Sequence, residues 1–325
     1  MAKHTLVKRD IPGALLAGAR WLMNPVSEGG AKQVPRMKLL AGGPEVLRDV
    51  ERMRTHPSGR RLLEEKPDLG MALSNPDALK GMPAGSLGRT YYASMEVPGG
   101  VPGYLLASLI YKDGFFDSLE VSDDVRYVIE RSRWLHDLFH VLTGYGTDLS
   151  GEGLLIYFML GYEHGLSYRA ASLTPFGLGP RFFIRPRCGQ RRWRALLEDA
   201  CARGLAGNRV CPPAFVPWEE QLLRPLDDLR DELGIVPFLE DTSDWLEGNW
   251  FGQQAAGGFG AYAREAERAR LVRKVVEAGV SCRDLYRVSD ETMQRLMRLA
   301  SEDANAAEIR AAADWPPMTS GTTVR

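Results

Sequence analysis

Cysteine is scarce in this chain, with four in 325 residues, at positions 188, 201, 211 and 282. They form no C-x-x-C and no close pair. That excludes a disulfide-stapled secreted domain and points to reduced thiols in a cytosol-like compartment, each packed as a small buried apolar group. Net charge is nearly absent too, since 41 basic residues face 42 acidic ones. A nucleic-acid partner drawn by bulk positive charge is therefore not expected. Long hydrophobic runs are missing. The longest uncharged stretches, residues 97–111, 153–162 and 248–263, fall short of the ~18 apolar residues that span a bilayer. Strict period-two alternation is also hard to find, which disfavours sheet, and no internal repeat stands out.

What is present is a chain that is 44% apolar, enough to offset the entropy of folding. Apolar residues recur at three- and four-residue spacing over 44–53, 125–142, 153–166, 191–203 and 218–233, with Pro225 breaking the last. Gly and Pro clusters over 97–103, 174–180 and 210–217 punctuate these segments. The pattern predicts an all-α fold: a single large helical core domain with a helical C-terminal extension. The expected organisation is a leader over 1–43, a helical core over 44–240, a Gly-rich linker over 241–260 and a helical extension with a loose tail over 261–325. Within the leader, Lys3, Lys8 and Arg9 precede a mildly apolar stretch, 11–23, interrupted by Pro12 and Arg20. It makes a poor secretory signal and reads as an amphipathic helix, with a mitochondrial presequence as the weaker alternative.

The informative stretch is 131–140, Arg-Ser-Arg-Trp-Leu-His-Asp-Leu-Phe-His. On a helix His136 and His140 lie about 40° apart, and Asp137 about 100° from His136, so all three share one arc. Helices present two imidazoles to one metal in this way. An ordinary amphipathic helix would look similar, because Arg126, Glu130, Arg133 and Asp137 fill the same side as a solvated face. Spacing alone leaves both readings open. Gly144 and Gly146 end this helix, and Ser150 is the expected N-cap of the next. That second helix is apolar nearly all round and opens with Glu152. Its carboxylate suits the helix dipole, and a metal held by the first helix would also partner it. His164 reads as packing or capping, and His4 and His56 as surface groups.

His136, Asp137, His140 and, after eleven further residues, Glu152 resemble the signature of the ubiquinone-biosynthesis family usually called the fourth Coq protein. Leu87-Gly88 with Tyr91-Tyr92, Met53 with Gly59-Arg60 and Leu62-Leu63, Trp218-Glu219, and Leu229-Arg230 with Leu233-Gly234-Ile235 resemble its flanking segments. The resemblance runs over roughly 45–237. It implies a helical zinc protein of coenzyme Q synthesis, with His136, Asp137, His140 and Glu152 as metal ligands. The implied reaction is oxidative decarboxylation at C1 of a polyprenylated 4-hydroxy-3-methoxybenzoate, which makes the chain a lyase. The family also organises other ubiquinone-biosynthesis enzymes at the membrane. Family members commonly carry Glu two residues before the first His, where this chain has Trp134. Glu130, Arg133 and Glu163 are then the candidates to support the ligands from behind.

On chemical grounds, Asp137 is the candidate to move a proton whenever it is not bound to the ion. Zinc is redox-silent, and two His with carboxylates also suit iron or manganese. A second feature, 181–194, holds six Arg and no acid. Arg181, Phe182, Phe183, Arg185, Arg187, Arg191 and Arg192 are candidate contacts to lipid or an anionic membrane surface. The bland alternative is a solvated loop whose Arg pair with an acidic helix over 227–232. The expected setting is peripheral on the cytoplasmic face of a bacterial inner membrane or soluble in the cytoplasm, or the matrix side of the mitochondrial inner membrane in a eukaryote. The expected partners are the prenylated acid, the other pathway enzymes and a second copy as a homodimer, without nucleic acid. Two further readings remain: a prenyl-lipid-binding scaffold with a structural metal, and a metal-dependent hydrolase.

Overall fold

The computed structural model describes residues 6–23, 33–95, 118–163, 186–207, 213–241, 270–280, 285 and 288–313. Among them the fold is all-α, with an isolated bridge between Ser86 and Pro225 and no strand. No helix among the described residues is long and apolar enough to cross a membrane. The linker expected over 241–260 lies, beyond Asp241, outside them.

The chain begins with α1 (Ile11–Met23) and α2 (Gln33–Thr55), the latter kinked at Gly42 just before Pro44. Four short helices follow: α3 (Pro57–Glu65), α4 (Leu69–Leu73), α5 (Pro76–Gly81) and α6 (Leu87–Met95). Their starts are written in the sequence. His56, Asp68 and Asn75 each accept a first-turn backbone N–H, and Pro57 and Pro76 occupy positions where a helix needs no N–H. His56 therefore caps a helix rather than lying loose on the surface. Gly59 allows α3 to meet the end of α2, because a Cβ there would lie 2.6 Å from the Met53 backbone.

The two long helices of the core are α7 (Asp123–Thr143) and α8 (Leu149–Glu163). Ser122 caps α7, Asp123 and Asp124 lie at the positive end of its dipole, and Gly144 closes it at φ 75°. That glycine is required twice over, since a Cβ would also lie 2.5 Å from the Phe238 carbonyl oxygen. The cap of α8 differs from expectation. Asp148, not Ser150, accepts the first free N–H groups, from Ser150 at 2.9 Å and Gly151 at 3.3 Å, and Ser150 is buried in the first turn. A carboxylate one residue before the helix reaches both groups, as its helix dipole favours.

Beyond these lie α9 (Gln190–Ala206), a 3-10 turn (Pro213–Phe215), α10 (Trp218–Gln221) and α11 (Leu226–Leu233). Pro225 breaks α10 from α11, as the sequence predicts. A helical stretch over 270–277, then α12 (Asp290–Ser301) and α13 (Ala306–Ala312), complete the described chain. Val272, Val275, Met293, Leu296 and Ile309 of this C-terminal part belong to the same apolar core as Trp134 and Phe158.

Helix α7 is the hub, packed against α2, α4, α6, α8, α11 and the 3-10 turn. Arg131 is fully buried on it and forms a bidentate pair with Glu219 at 2.5 and 2.9 Å, with a further bond to the Val216 carbonyl at 2.8 Å. Trp218, also fully buried, donates to the Pro213 carbonyl at 2.8 Å and meets Phe139 edge-on. The Trp-Glu pair thus ties α10 to the hub. Arg230 donates to the carbonyls of Val141 and Leu142, both at 3.0 Å, satisfying the last turn of α7. Helices α8 and α9 approach so closely that a Cβ at Gly161 or Gly204 would fall about 2 Å from the facing backbone.

Candidate metal centre

The histidine side of α7 is not a solvated face. Glu130, Asp137 and His140 are all buried, so the ordinary amphipathic reading fails. Helix α8 crosses this side and brings Glu152, one turn in from its capped end, against both imidazoles. His136 Nε2 lies 3.3 Å from Glu152 Oε2, and His140 Nε2 lies 3.4 Å from Glu152 Oε1. The rings sit edge-on with centroids 4.8 Å apart. One ligand atom from each residue lies within 4.8 Å of the others, a spacing that can hold one metal ion. His136 and Glu152 keep about a third of their side-chain surface, 30% and 34%, whereas His140 is buried at 4%. The site therefore has one open side.

The other ring nitrogens are committed. His140 Nδ1 lies 3.1 Å from the Tyr145 carbonyl, which can only accept, so this nitrogen carries the hydrogen. His136 Nδ1 lies 3.3 Å from Asp137 Oδ1 and is oriented in the same way. In a neutral ring each Nε2 is then a lone pair facing a carboxylate. The buried Nε2 of His140 makes no hydrogen bond. Opposed acceptors repel, so the arrangement requires a proton or a cation between them.

Burial lowers the His136 pKa, but Glu152 and Asp137 outweigh it and push it up to about 9. Burial raises the Glu152 carboxyl, yet His136 and His140 outweigh that and hold it well below the usual carboxylate range. The ion-free site thus keeps a proton in the place where a cation fits. Two imidazoles and a carboxylate with an open side match the donor set of zinc and also accept iron or manganese.

The structure brings His136, His140 and Glu152 together and puts Asp137 behind His136, on the side away from Glu152. Glu130 is buried on α7 about one and a half turns before His136. Arg133 and Glu163 lie on α7 and α8, with their side chains outside the described residues. Arg181, Phe182, Phe183, Arg185, His4 and His164 also fall outside them. Arg187, Arg191 and Arg192 are exposed at the start of α9, and Arg192 pairs with Glu240 at 2.6 Å. Cys188 and Cys201 are half-buried thiols, not fully buried, and Cys211 and Cys282 lie outside the described residues. Sequence reasoning missed the Tyr145 carbonyl, and it gave Arg230 no contact to α7. A backbone carbonyl carries no side-chain signal, and Arg230 stood out only as part of the resemblance.

The model of the family described as "Coenzyme Q (ubiquinone) biosynthesis protein Coq4" matches residues 40–238, which include the whole site. "Ubiquinone biosynthesis protein COQ4, mitochondrial" of Ajellomyces dermatitidis is 30% identical over 189 residues, 58% of this chain and 60% of that protein. The Neurospora crassa protein of the same description is 31% identical over 192 residues, 59% of this chain and 49% of its own length. The chain thus spans about half to three fifths of these curated relatives. A Nostoc punctiforme crystal structure, provisionally described as a ubiquinone biosynthesis protein, is 20% identical and covers 70% of this chain and 99% of that one, with a TM-score of 0.48. That likeness is too distant to carry an argument. The match to the family model, over more than half of the sequence and all of the candidate centre, is decisive: the chain belongs to the Coq4 family of coenzyme Q (ubiquinone) biosynthesis proteins.

Proposed function

We propose that His136, His140 and Glu152 hold one divalent cation, zinc being the best match to the donors. On that centre the protein carries out oxidative decarboxylation at C1 of a polyprenylated 4-hydroxy-3-methoxybenzoate. The observation that carries the reading is the pair of Nε2 atoms aimed at one carboxylate while both Nδ1 atoms are held by other acceptors. The substrate class comes from the family. The net change is Ar–CO2H plus half an O2 giving Ar–OH plus CO2, with dioxygen as oxidant and the electron-rich ring as electron source.

A bound cation at this position supplies a Lewis acid that neutralises a carboxylate or phenolate. The chain's own residues do the rest. Asp137 keeps the His136 ring in one tautomer, and the Tyr145 carbonyl does the same for His140. The open side at His136 and Glu152 admits the aromatic head group, while buried His140 excludes water from the rear. Asp137 Oδ1, facing His136 Nδ1–H, makes that ring the stronger ligand through its free Nε2. The same proposal includes a peripheral place at the inner membrane, association with other pathway enzymes, and a homodimer.

A strain lacking the protein should accumulate the precursor that still carries the C1 carboxylate. A His136→Ala, His140→Ala double variant should fail to restore the quinone. Full rescue by that variant would replace the enzyme with a scaffold, and turnover of a simple phosphate or peptide ester by the pure protein would replace it with a hydrolase.

A further inference from the structure

Helix α1 is packed the opposite way from an ordinary surface helix. The residues it buries are small: Ala14 and Ala17, seated on Met37 and Ala41 of α2, with Trp21 at the end. The residues it leaves outside are large: Ile11 at 44%, Leu15 at 65% and Leu16 at 53% exposure, with Val7 at 68% on the preceding turn. On the helical wheel Ile11, Leu15, Ala19, Pro12 and Leu16 follow one another over about 140°, and Arg20 closes the arc at about 180°. All six are exposed.

This is a patch rather than scatter. Four of the eight large exposed apolar side chains among the described residues fall between positions 7 and 16. The helix carries no acidic residue. Its rim is cationic, with Lys8 and Arg9 exposed at one end and Arg20 at the other. Arg9 is tied to Glu45 at 2.5 Å and so fixes the end of α1 to α2. Asp10 pins the same end, accepting from Gly13 N–H at 2.9 Å and donating its own N–H to the Leu40 carbonyl at 2.8 Å. The apolar arc is therefore held on a rigid mount.

We infer that the outer face of α1, made by Ile11, Leu15 and Leu16, with exposed Val7 and Lys8 on the preceding turn and Arg20 at the far edge of the arc, docks this protein on an anionic lipid bilayer. A large apolar arc with basic residues at its border lies in the interface plane, with its apolar side chains among the acyl chains and its cations at the headgroups. Charge complementarity selects the bilayer over a second copy, because two such faces would bring Lys8 and Arg20 against their own kind. The inference deepens the proposed reading, in which a prenylated substrate resides in a membrane. It is nevertheless read without turnover or metal.

The full-length chain is mixed with phosphatidylcholine vesicles with and without phosphatidylglycerol, and the bound fraction is measured by sedimentation. Wild type should bind the anionic vesicles and release them at high salt. Leu15→Glu with Leu16→Glu should weaken binding about tenfold or more. Lys8→Glu with Arg20→Glu should abolish the preference for anionic lipid while keeping the apolar arc. Both pairs are exposed, so circular dichroism and metal content should stay at wild-type values. No vesicle binding by wild type, or equal binding by both variants, overturns the inference. A fall from dimer to monomer mass in the Leu15→Glu, Leu16→Glu variant, without loss of vesicle binding, assigns the face to a second copy instead. Loss of metal with retained docking would count only against the proposed centre.

Discussion

Metal binding at this centre must displace a proton, and the size of that effect follows from the geometry. In the ion-free protein Glu152 and Asp137 raise the His136 pKa to about 9. At pH 7 the ring is then almost wholly protonated. The cation competes against two pH units, about 2.7 kcal/mol or a factor of about 100 in affinity. Affinity should rise about tenfold per pH unit from 7 towards 9 and flatten above. Calorimetric titration with zinc, buffered by a chelator, at pH 7 in two buffers of different ionisation enthalpy should report about one proton released per ion. Glu152→Gln removes both a ligand and the charge that raises His136, so it should weaken binding and shrink the proton release together. Constant affinity across pH 7 to 9 with no proton released would refute the reasoning.

Four more expectations follow from particular contacts. His136 has a folded pKa above its ordinary 6.5, so its stabilisation is full below 6.5 and fades as pH rises through about 9. Glu152 is depressed below 4.5, so its share is present above that value and fades on acidification. Ion-free protein should therefore show a falling thermal midpoint between pH 7 and 10, and metal should remove that slope. Glu219→Ala leaves Arg131 charged and fully buried, and should cost about 3–5 kcal/mol in denaturant unfolding. Gly204→Val would place carbon about 2 Å from the Phe158 carbonyl, and should cost about 3 kcal/mol or more while disturbing Glu152 through α8. Arg230→Ala strips two carbonyls at the end of α7, and should lower stability by about 2 kcal/mol and weaken metal affinity, with Arg230→Lys recovering part.

Much of this was legible because it is local. Gly144 and Pro225 mark helix ends by chemistry that acts within four residues, and both lie where the sequence puts them. His136 and His140 share a face because helical geometry demands it. The Asp148 cap was missed because Ser150 offered an equally good side chain two residues later. Asp137 illustrates a different limit. Its place on the wheel shows proximity to both histidines, but not that its oxygen turns to Nδ1, on the far side from Glu152. The Arg131–Glu219 pair spans 88 residues, and no periodicity reports such a contact. Helix α1 shows the converse error. The stretch 11–23 reads as an amphipathic helix, and only the packed Ala14 and Ala17 reveal that Leu15 and Leu16 face outward.

The central claim, that these three side chains form a metal centre, is tested most directly by elemental analysis of purified protein. Wild type should carry about one zinc, iron or manganese ion per chain. His140→Ala should lose it while keeping its helical circular dichroism. A wild-type protein without stoichiometric metal, or a His140→Ala protein with undiminished metal, would contradict the account.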